Sequence, residues 1–284
     1  HFVEQEHLPE SLKGRRFYTP GDQGYERDVA ARLEALRVGG GPASGGRPAG
    51  PAGKESDGMN SGHGEHVEFP AGDIILEGDL HLPTGKGPFP AVAVCHPHPL
   101  YGGDMNNSVV VTICRALVGQ GVAALRFNFR GVGGSDGRHS GSAGERDDTI
   151  AALAFLALRK DVDSARIGLA GYSFGGGVAL PVALGDERVR RMMLVSPALS
   201  DSGWGELEKY PRPKLVIVGG ADSVVPPQRF EELRAAAKSP ANYKLVPAAD
   251  HFWSGLEEEI AAAAGSFFSQ WSSGDVESPV EAAQ

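Results

Sequence analysis

The chain has 284 residues, of which 41% are hydrophobic and 22% charged, and its net charge is −9. Forty glycines and twenty prolines fill 60 of the 284 positions, about a fifth against roughly an eighth in average usage. Neither residue follows a collagen period and the apolar fraction is ordinary, which excludes collagen, coiled coil and wholesale disorder. The negative charge argues against a nucleic-acid or anionic-membrane binder, since both need a cationic face.

The first break in composition falls early. Residues 24–38 (GYERDVAARLEALRV) predict one short helix with Val29, Leu33 and Leu36 on one face, too little to fold alone. Residues 1–38 therefore read as an N-terminal extension. Ten of the fifteen positions from Gly39 to Gly53 are Gly or Pro, the composition of a flexible linker, which is expected to run to residue 66. Met59 follows that stretch, and the chain opens on His1 rather than Met. The expectation is a fragment, or a processed or cloned product, with Met59 as the native start and residues 1–58 fused from a neighbouring gene; a mobile extension is the alternative.

From Val67 the pattern changes to strand-like apolar runs alternating with helical stretches. VEFPAGDIILEGDLHLP predicts an antiparallel hairpin and PAVAVCH a buried strand. SVVVTICRALVGQG predicts a helix, VAALRFNF a strand, and GERDDTIAALAFLALR a helix with acidic residues in its first turn. Strand ARIGLAGY, helix FGGGVALPVAL, strands VRRMMLVSP and KLVIVGG, helix PQRFEELRAAAK, strand NYKLVP and helix SGLEEEIAAAAGSFFSQW follow. Such alternation predicts an α/β fold with a mostly parallel twisted sheet and helices on both faces. The catalytic domain is expected over 67–273, with a disordered tail at 274–284.

Gly171-Tyr172-Ser173-Phe174-Gly175 fits G-x-S-x-G. It follows an apolar strand and opens an apolar helix, so Ser173 sits on a sharp turn that exposes its hydroxyl and aims the Phe174 N–H at a substrate oxygen. A serine needs a base, and the base an orienting acid. His251 is the one histidine downstream of Ser173 and is expected to be the base. Asp222, just past KLVIVGG, is favoured as the acid over Asp201; Asp250 is adjacent to the histidine and badly placed to orient it. The loop His96-Pro97-His98-Pro99-Leu100-Tyr101 should supply a second oxyanion donor. Proline has no N–H, so the donor is His98, Leu100 or Tyr101, with His98 and Leu100 carried forward. Two histidines at alternate positions hint at a metal, but no third ligand cluster supports one.

With Ser173, Asp222 and His251 in that order, the chain resembles the α/β-hydrolases. HPHPLYGGDMNNSVV, LRFNFRGVGGSDG, GERDD and GYSFGG together resemble small bacterial members without a cap, related to carboxylesterases and dienelactone-hydrolase-like proteins, over about Val67 to Trp271. The resemblance implies Ser173 as nucleophile, Asp222 as acid, His251 as base and the Phe174 amide as an oxyanion donor. The acyl transfer that such a triad performs requires no cofactor and no metal. Dienelactone hydrolases carry a cysteine nucleophile, which the serine here does not match. Residues 1–37 resemble the C-terminal end of replication-associated AAA+ recombination ATPases, without their nucleotide-binding loop.

A cap would lie between Ser196 and Lys214, where only PALSDSGWGELEKYPRP is present. No large cap domain is therefore expected, and the open pocket suits esters of small or short-chain acyl groups. Tyr101, Trp204 and Phe252 are candidates to line it. The expected partner is a small-molecule ester, with no nucleic acid and no membrane, and the protein is monomer or dimer. A thioesterase, peptidase or acyltransferase would use the same triad; a non-catalytic replication-linked binding protein would have no need of it. Cys95 and Cys114 lie in apolar runs as two free thiols, which fits the cytoplasm.

Overall fold

The computed structural model describes residues 63–225, 227–236 and 241–272. The expected N-terminal helix, the Gly/Pro linker up to residue 62, Met59, the ATPase-like segment and the C-terminal tail all lie outside the described residues. Among the described residues eight strands form one sheet in the order β1-β2-β4-β3-β5-β6-β7-β8. These are β1 (His63–Ala71), β2 (Ile74–Leu82), β3 (Phe89–Cys95), β4 (Ala123–Phe127), β5 (Val162–Tyr172), β6 (Val189–Val195), β7 (Lys214–Gly219) and β8 (Ala241–Val246). β1 begins at His63, so the last residues of the expected linker belong to the sheet, paired with β2. β1 and β2 form the predicted hairpin, β2 joins β4 antiparallel, and every pair from β4 to β8 is parallel.

The helices are α1 (Ser108–Gly119), α2 (Ala143–Leu158), α3 (Phe174–Gly185), α4 (Asp201–Glu206), α5 (Pro227–Ala236) and α6 (Glu257–Ser269). Two apolar clusters flank the sheet, and the strands feed both by their period of two. Ala91, Ala93 and Cys95 of β3 point into the cluster with Leu153 of α2 and Val178 of α3. Val92 and Val94 point the other way, toward Val109 and Ile113 of α1 and Ile260 and Phe268 of α6. A sheet covered on both faces explains why these strands read as continuous apolar runs. The α/β-hydrolase fold without a large cap is thus present: between β6 and β7 stand only α4 and one 3-10 turn (Leu207–Lys209).

The start of α2 is fixed by its own sequence. The Glu145 carboxylate turns back to accept the Ser142 N–H at 2.7 Å and the Ser140 N–H at 2.8 Å, satisfying donors that a helix N-terminus leaves open. Arg130, in the loop after β4, is clamped to the same helix. Its Nη2 lies 2.7 Å from Asp148 Oδ1, and its backbone N–H donates to Asp148 Oδ2 at 2.9 Å. The glycine-rich loop Gly131–Gly137 is thereby held beside the carboxyl ends of the parallel strands. Ligands of open α/β sheets bind at that edge.

Candidate active site

Ser173 follows the last residue of β5 and precedes the first of α3. Its backbone has φ 53° and ψ −117°, a left-handed conformation that costs a non-glycine residue on the order of 1–3 kcal/mol. The turn is held from inside: the Ser173 carbonyl accepts N–H groups from Gly176, Gly177 and Ala198 at 3.0, 3.2 and 2.9 Å. Close packing requires glycine at Gly175, where a Cβ would overlap the backbone carbonyls of Cys95 and His96 at the end of β3.

Ser173 Oγ lies 2.9 Å from His251 Nε2. His251 Nδ1 lies 2.9 Å from Asp222 Oδ2 and 3.1 Å from Asp222 Oδ1. The structure therefore brings together the three residues singled out from the sequence, each from a different loop at the carboxyl edge. All three are buried. Burial alone would raise the Asp222 carboxyl, but the hydrogen bond and charge of His251, the Val225 N–H and the Ser196 hydroxyl outweigh it and hold the group below its ordinary value. The rival acids stand elsewhere. Asp201 opens α4, and Asp250 Oδ1 accepts the N–H groups of Phe252 and Trp253, both at 2.9 Å.

The loops of acid and base are stitched to each other. Gly220 N–H donates to the Val246 carbonyl and Ala221 N–H to the Ala249 carbonyl, at 2.8 and 2.9 Å. Gly219 is needed for that approach, since a Cβ there would overlap the Ala249 carbonyl. Two further anchors have no motif in the sequence. The Tyr172 hydroxyl donates to the His251 carbonyl at 2.7 Å. The Trp253 indole N–H donates to Ser196 Oγ at 3.1 Å, and both residues are fully buried with left-handed backbones, φ 61° and 39°. Tyr172→Phe leaves a buried carbonyl unsatisfied, a loss of about 1–3 kcal/mol. The variant is expected to fold with a lower melting temperature and a several-fold smaller kcat at little changed KM, measured on a chromogenic ester.

The loop after β3 corrects part of the oxyanion expectation. Leu100 N–H donates to His98 Nδ1 at 3.2 Å, because the 3-10 turn Pro99–Tyr101 uses the His98 side chain as its cap. Tyr101 N–H donates to the His98 carbonyl at 3.1 Å. The Leu100 and Tyr101 amides are thus both committed to contacts with His98. Its ring lies 4.6 Å from the Phe174 ring, centroid to centroid.

The neighbouring His96 is fully buried and works on the backbone. Its Nε2 accepts the Phe129 N–H at 3.1 Å, so the proton resides on Nδ1, 2.7 Å from the Pro97 carbonyl. Burial pushes its pKa down to about 4, which keeps it neutral. Both ring nitrogens are therefore taken by backbone groups. Among the described residues no group of three or more His, Cys, Asp or Glu is arranged to hold a metal ion.

The three aromatic residues expected to line the pocket separate. Tyr101 and Phe252 are exposed, Tyr101 4.9 Å from the His98 ring and Phe252 edge-on to His251 at 5.7 Å. Trp204 is not a lining residue. The short α4 turns its tryptophan inward, where it joins the core with Leu207 and Tyr210, and it presents Ser202, Gly203 and Glu206 to a cleft of about 440 Å³. A broader groove of about 820 Å³ lies at the far edge, against β8 and α6. His139, which the sequence reading passed over, stands 5.5 Å from the Phe174 ring and places Nδ1 2.9 Å from Glu145 Oε1.

A family model described as X-Pro dipeptidyl-peptidase (S15 family) matches residues 72–214, just over half of the chain. The chain belongs to the S15 family. A relative from Rickettsia prowazekii (strain Madrid E) is 32% identical over 182 residues, 61% of this chain and 76% of its own. One from Mycobacterium tuberculosis (strain H37Rv) is 34% identical over 213 residues, 64% and 73%. Among solved structures, an alpha-beta serine hydrolase homologue from Coxiella burnetii is 33% identical with a TM-score of 0.65, covering 71% of this chain and 96% of that one. A serine hydrolase without lid from Xanthomonas campestris is 26% identical with a TM-score of 0.62, covering 79% and 98%. This S15-family chain is a hydrolase with the serine-hydrolase fold. The matched segment starts at residue 72 and so does not bear on the ATPase-like resemblance of residues 1–37.

Proposed function

We propose that the protein is a serine carboxylesterase that hydrolyses small carboxylic esters through an acyl-enzyme. One observation carries the reading: an unbroken line of contacts from Ser173 Oγ through His251 Nε2 and Nδ1 to Asp222, 2.9 Å at each end, at a strained strand-to-helix turn. In the first step Ser173 Oγ attacks the ester carbonyl carbon while His251 Nε2 takes the hydroxyl proton. The carbonyl oxygen becomes an oxyanion facing the Phe174 N–H and the His98 loop. The C–O bond to the alcohol then breaks, and His251 returns the proton to the departing oxygen. In the second step water, deprotonated by His251, attacks the acyl carbon; the C–Oγ bond breaks, His251 returns the proton to Ser173 Oγ, and the acid leaves. Asp222 holds the imidazole in the tautomer that leaves Nε2 able to accept, and it stabilises the imidazolium. No step calls for a metal or an organic cofactor.

The family match gives a second reading, a peptidase releasing N-terminal dipeptides. That chemistry needs a carboxylate to receive the substrate's α-ammonium. Around the cleft, Glu206 already pairs with Lys209 at 2.7 Å and Glu145 is consumed in capping α2, which favours a neutral ester. Two further expectations stay part of the proposal: a small-molecule ester as partner, and a reducing cytoplasmic setting suggested by the unpaired, buried Cys95 and Cys114.

The test compares p-nitrophenyl butyrate with alanyl-prolyl-p-nitroanilide and follows labelling by a fluorophosphonate. Turnover of the ester and a single phosphonyl adduct on the Ser173 peptide are expected. Cleavage of the anilide with no ester turnover would move the assignment to the peptidase.

A further inference from the structure

The cleft beside the nucleophile has a position that the reaction itself interprets. A tetrahedral carbon on Ser173 Oγ has three other substituents. The oxyanion faces the Phe174 N–H. The leaving oxygen must receive its proton from His251 Nε2, so the alcohol lies on the side of His251, where the neighbouring Phe252 is 41% exposed and the surface is open. The acyl group is directed away from His251, along the flank of Phe174. There the cleft begins, lined at its inner end by Phe174, Gly177 and Ala198. The last two are the residues whose N–H groups hold the Ser173 carbonyl, and Phe174 is the residue after the nucleophile, so the cleft begins one residue from Ser173.

Its floor is apolar, built from Leu180, Pro181, Leu184 and Leu199, and its charged rim carries Arg146 and Glu206. The Glu206 charge is offset by Lys209. The volume of about 440 Å³ falls in the lower part of the range of small-molecule sites, roughly 300–1,000 Å³. That is more room than an acetyl group fills.

We propose that this cleft is the acyl site and that the preferred substrates carry an apolar acyl group of intermediate length, near hexanoyl, on an alcohol that meets few constraints. The proposal rests on the serine-esterase reading and goes beyond the short-chain expectation drawn from the missing cap. α4 and the segment before it do the work that a cap does elsewhere: Leu199 from that segment and Leu184 from α3 face the same space. Both are partly exposed, so a larger side chain at either position is accommodated by occupying the cleft.

The experiment measures kcat/KM for p-nitrophenyl acetate, hexanoate and decanoate with the wild-type chain, Leu184→Trp, Leu199→Trp and Leu184→Ala. The wild type is expected to favour hexanoate over acetate by about tenfold for the four methylenes between them, a modest demand where one methylene in a closed apolar pocket can give 10–200-fold. Each tryptophan variant should lower the hexanoate-to-acetate ratio by a similar factor, and Leu184→Ala should raise the decanoate-to-hexanoate ratio. Ratios that stay within twofold of wild type in all three variants would overturn the acyl-site assignment. Ester turnover that survives Ser173→Ala is a different failure, since it removes the serine-esterase reading itself.

Discussion

Replacing Ser173 by alanine is expected to lower kcat/KM on an activated ester by a factor on the order of 10⁴ or more while the chain still folds. The size follows from the division of labour at the site. Without Oγ no acyl-enzyme forms, and His251 and Asp222 have no nucleophile to serve. What survives is the modest gain from binding and from the Phe174 amide. The fold should tolerate the change because the lost contact, Ser173 Oγ to His251 Nε2 at 2.9 Å, is a single hydrogen bond, about 1 kcal/mol net. Alanine inherits the φ of 53° and its strain. Glycine does not, so Ser173→Gly should be equally inactive yet melt at a higher temperature than Ser173→Ala. Such a pair would show that the strain is stored for the chemistry, since nothing else requires a side chain at that φ. Ester turnover by Ser173→Ala within tenfold of wild type would remove Ser173 from the reaction.

Much of this arrangement could be read from the chain before any geometry. The G-x-S-x-G pentapeptide carries information because two of its neighbours must be glycine for steric reasons that the fold makes concrete: Gly175 touches the end of β3. Asp222 was legible because an acid just past a buried strand stands at the sheet's carboxyl edge, and His251 because no other downstream histidine competes. The mostly parallel, doubly covered sheet was also implicit, since buried parallel strands run apolar without alternation. The remainder depends on contacts between distant loops, which no local pattern encodes. Tyr172 reaches the His251 carbonyl and Trp253 reaches Ser196, yet each reads as one more aromatic residue in an apolar stretch. The Leu100 amide looked like an oxyanion donor until the His98 ring was seen to fold back onto it. Trp204 looked like pocket lining because six residues of α4 are too few to reveal which face turns inward.

The second large effect is expected from Asp222→Asn, and the surrounding hydrogen bonds dictate its direction. Asp222 Oδ1 accepts the N–H groups of Val224 and Val225 at 2.9 and 2.7 Å. An asparagine must place its carbonyl oxygen there, because an amide NH₂ facing two N–H donors would leave all of them unsatisfied. Its NH₂ then faces His251 Nδ1, where Asp222 Oδ2 stood at 2.9 Å. A donor at that point requires Nδ1 to accept, so the imidazole proton moves to Nε2, and Nε2 can no longer take the proton of Ser173. The imidazolium also loses its counter-charge. The loss in kcat should be about 10⁴-fold with the geometry intact.

Stability gives an independent readout of the same substitution. The native Asp222 carboxyl is held below its ordinary value: burial raises it, but His251 and the backbone donors prevail. A depressed native value means that the wild-type advantage is fully present above the ordinary aspartate pKa of about 3.9 and fades as pH falls through the native value. Urea unfolding at neutral pH should therefore show wild type more stable than Asp222→Asn, and the gap should close in acid below about pH 4. A variant that keeps more than a tenth of the wild-type kcat, or a stability gap that widens in acid, would remove Asp222 from its place behind His251.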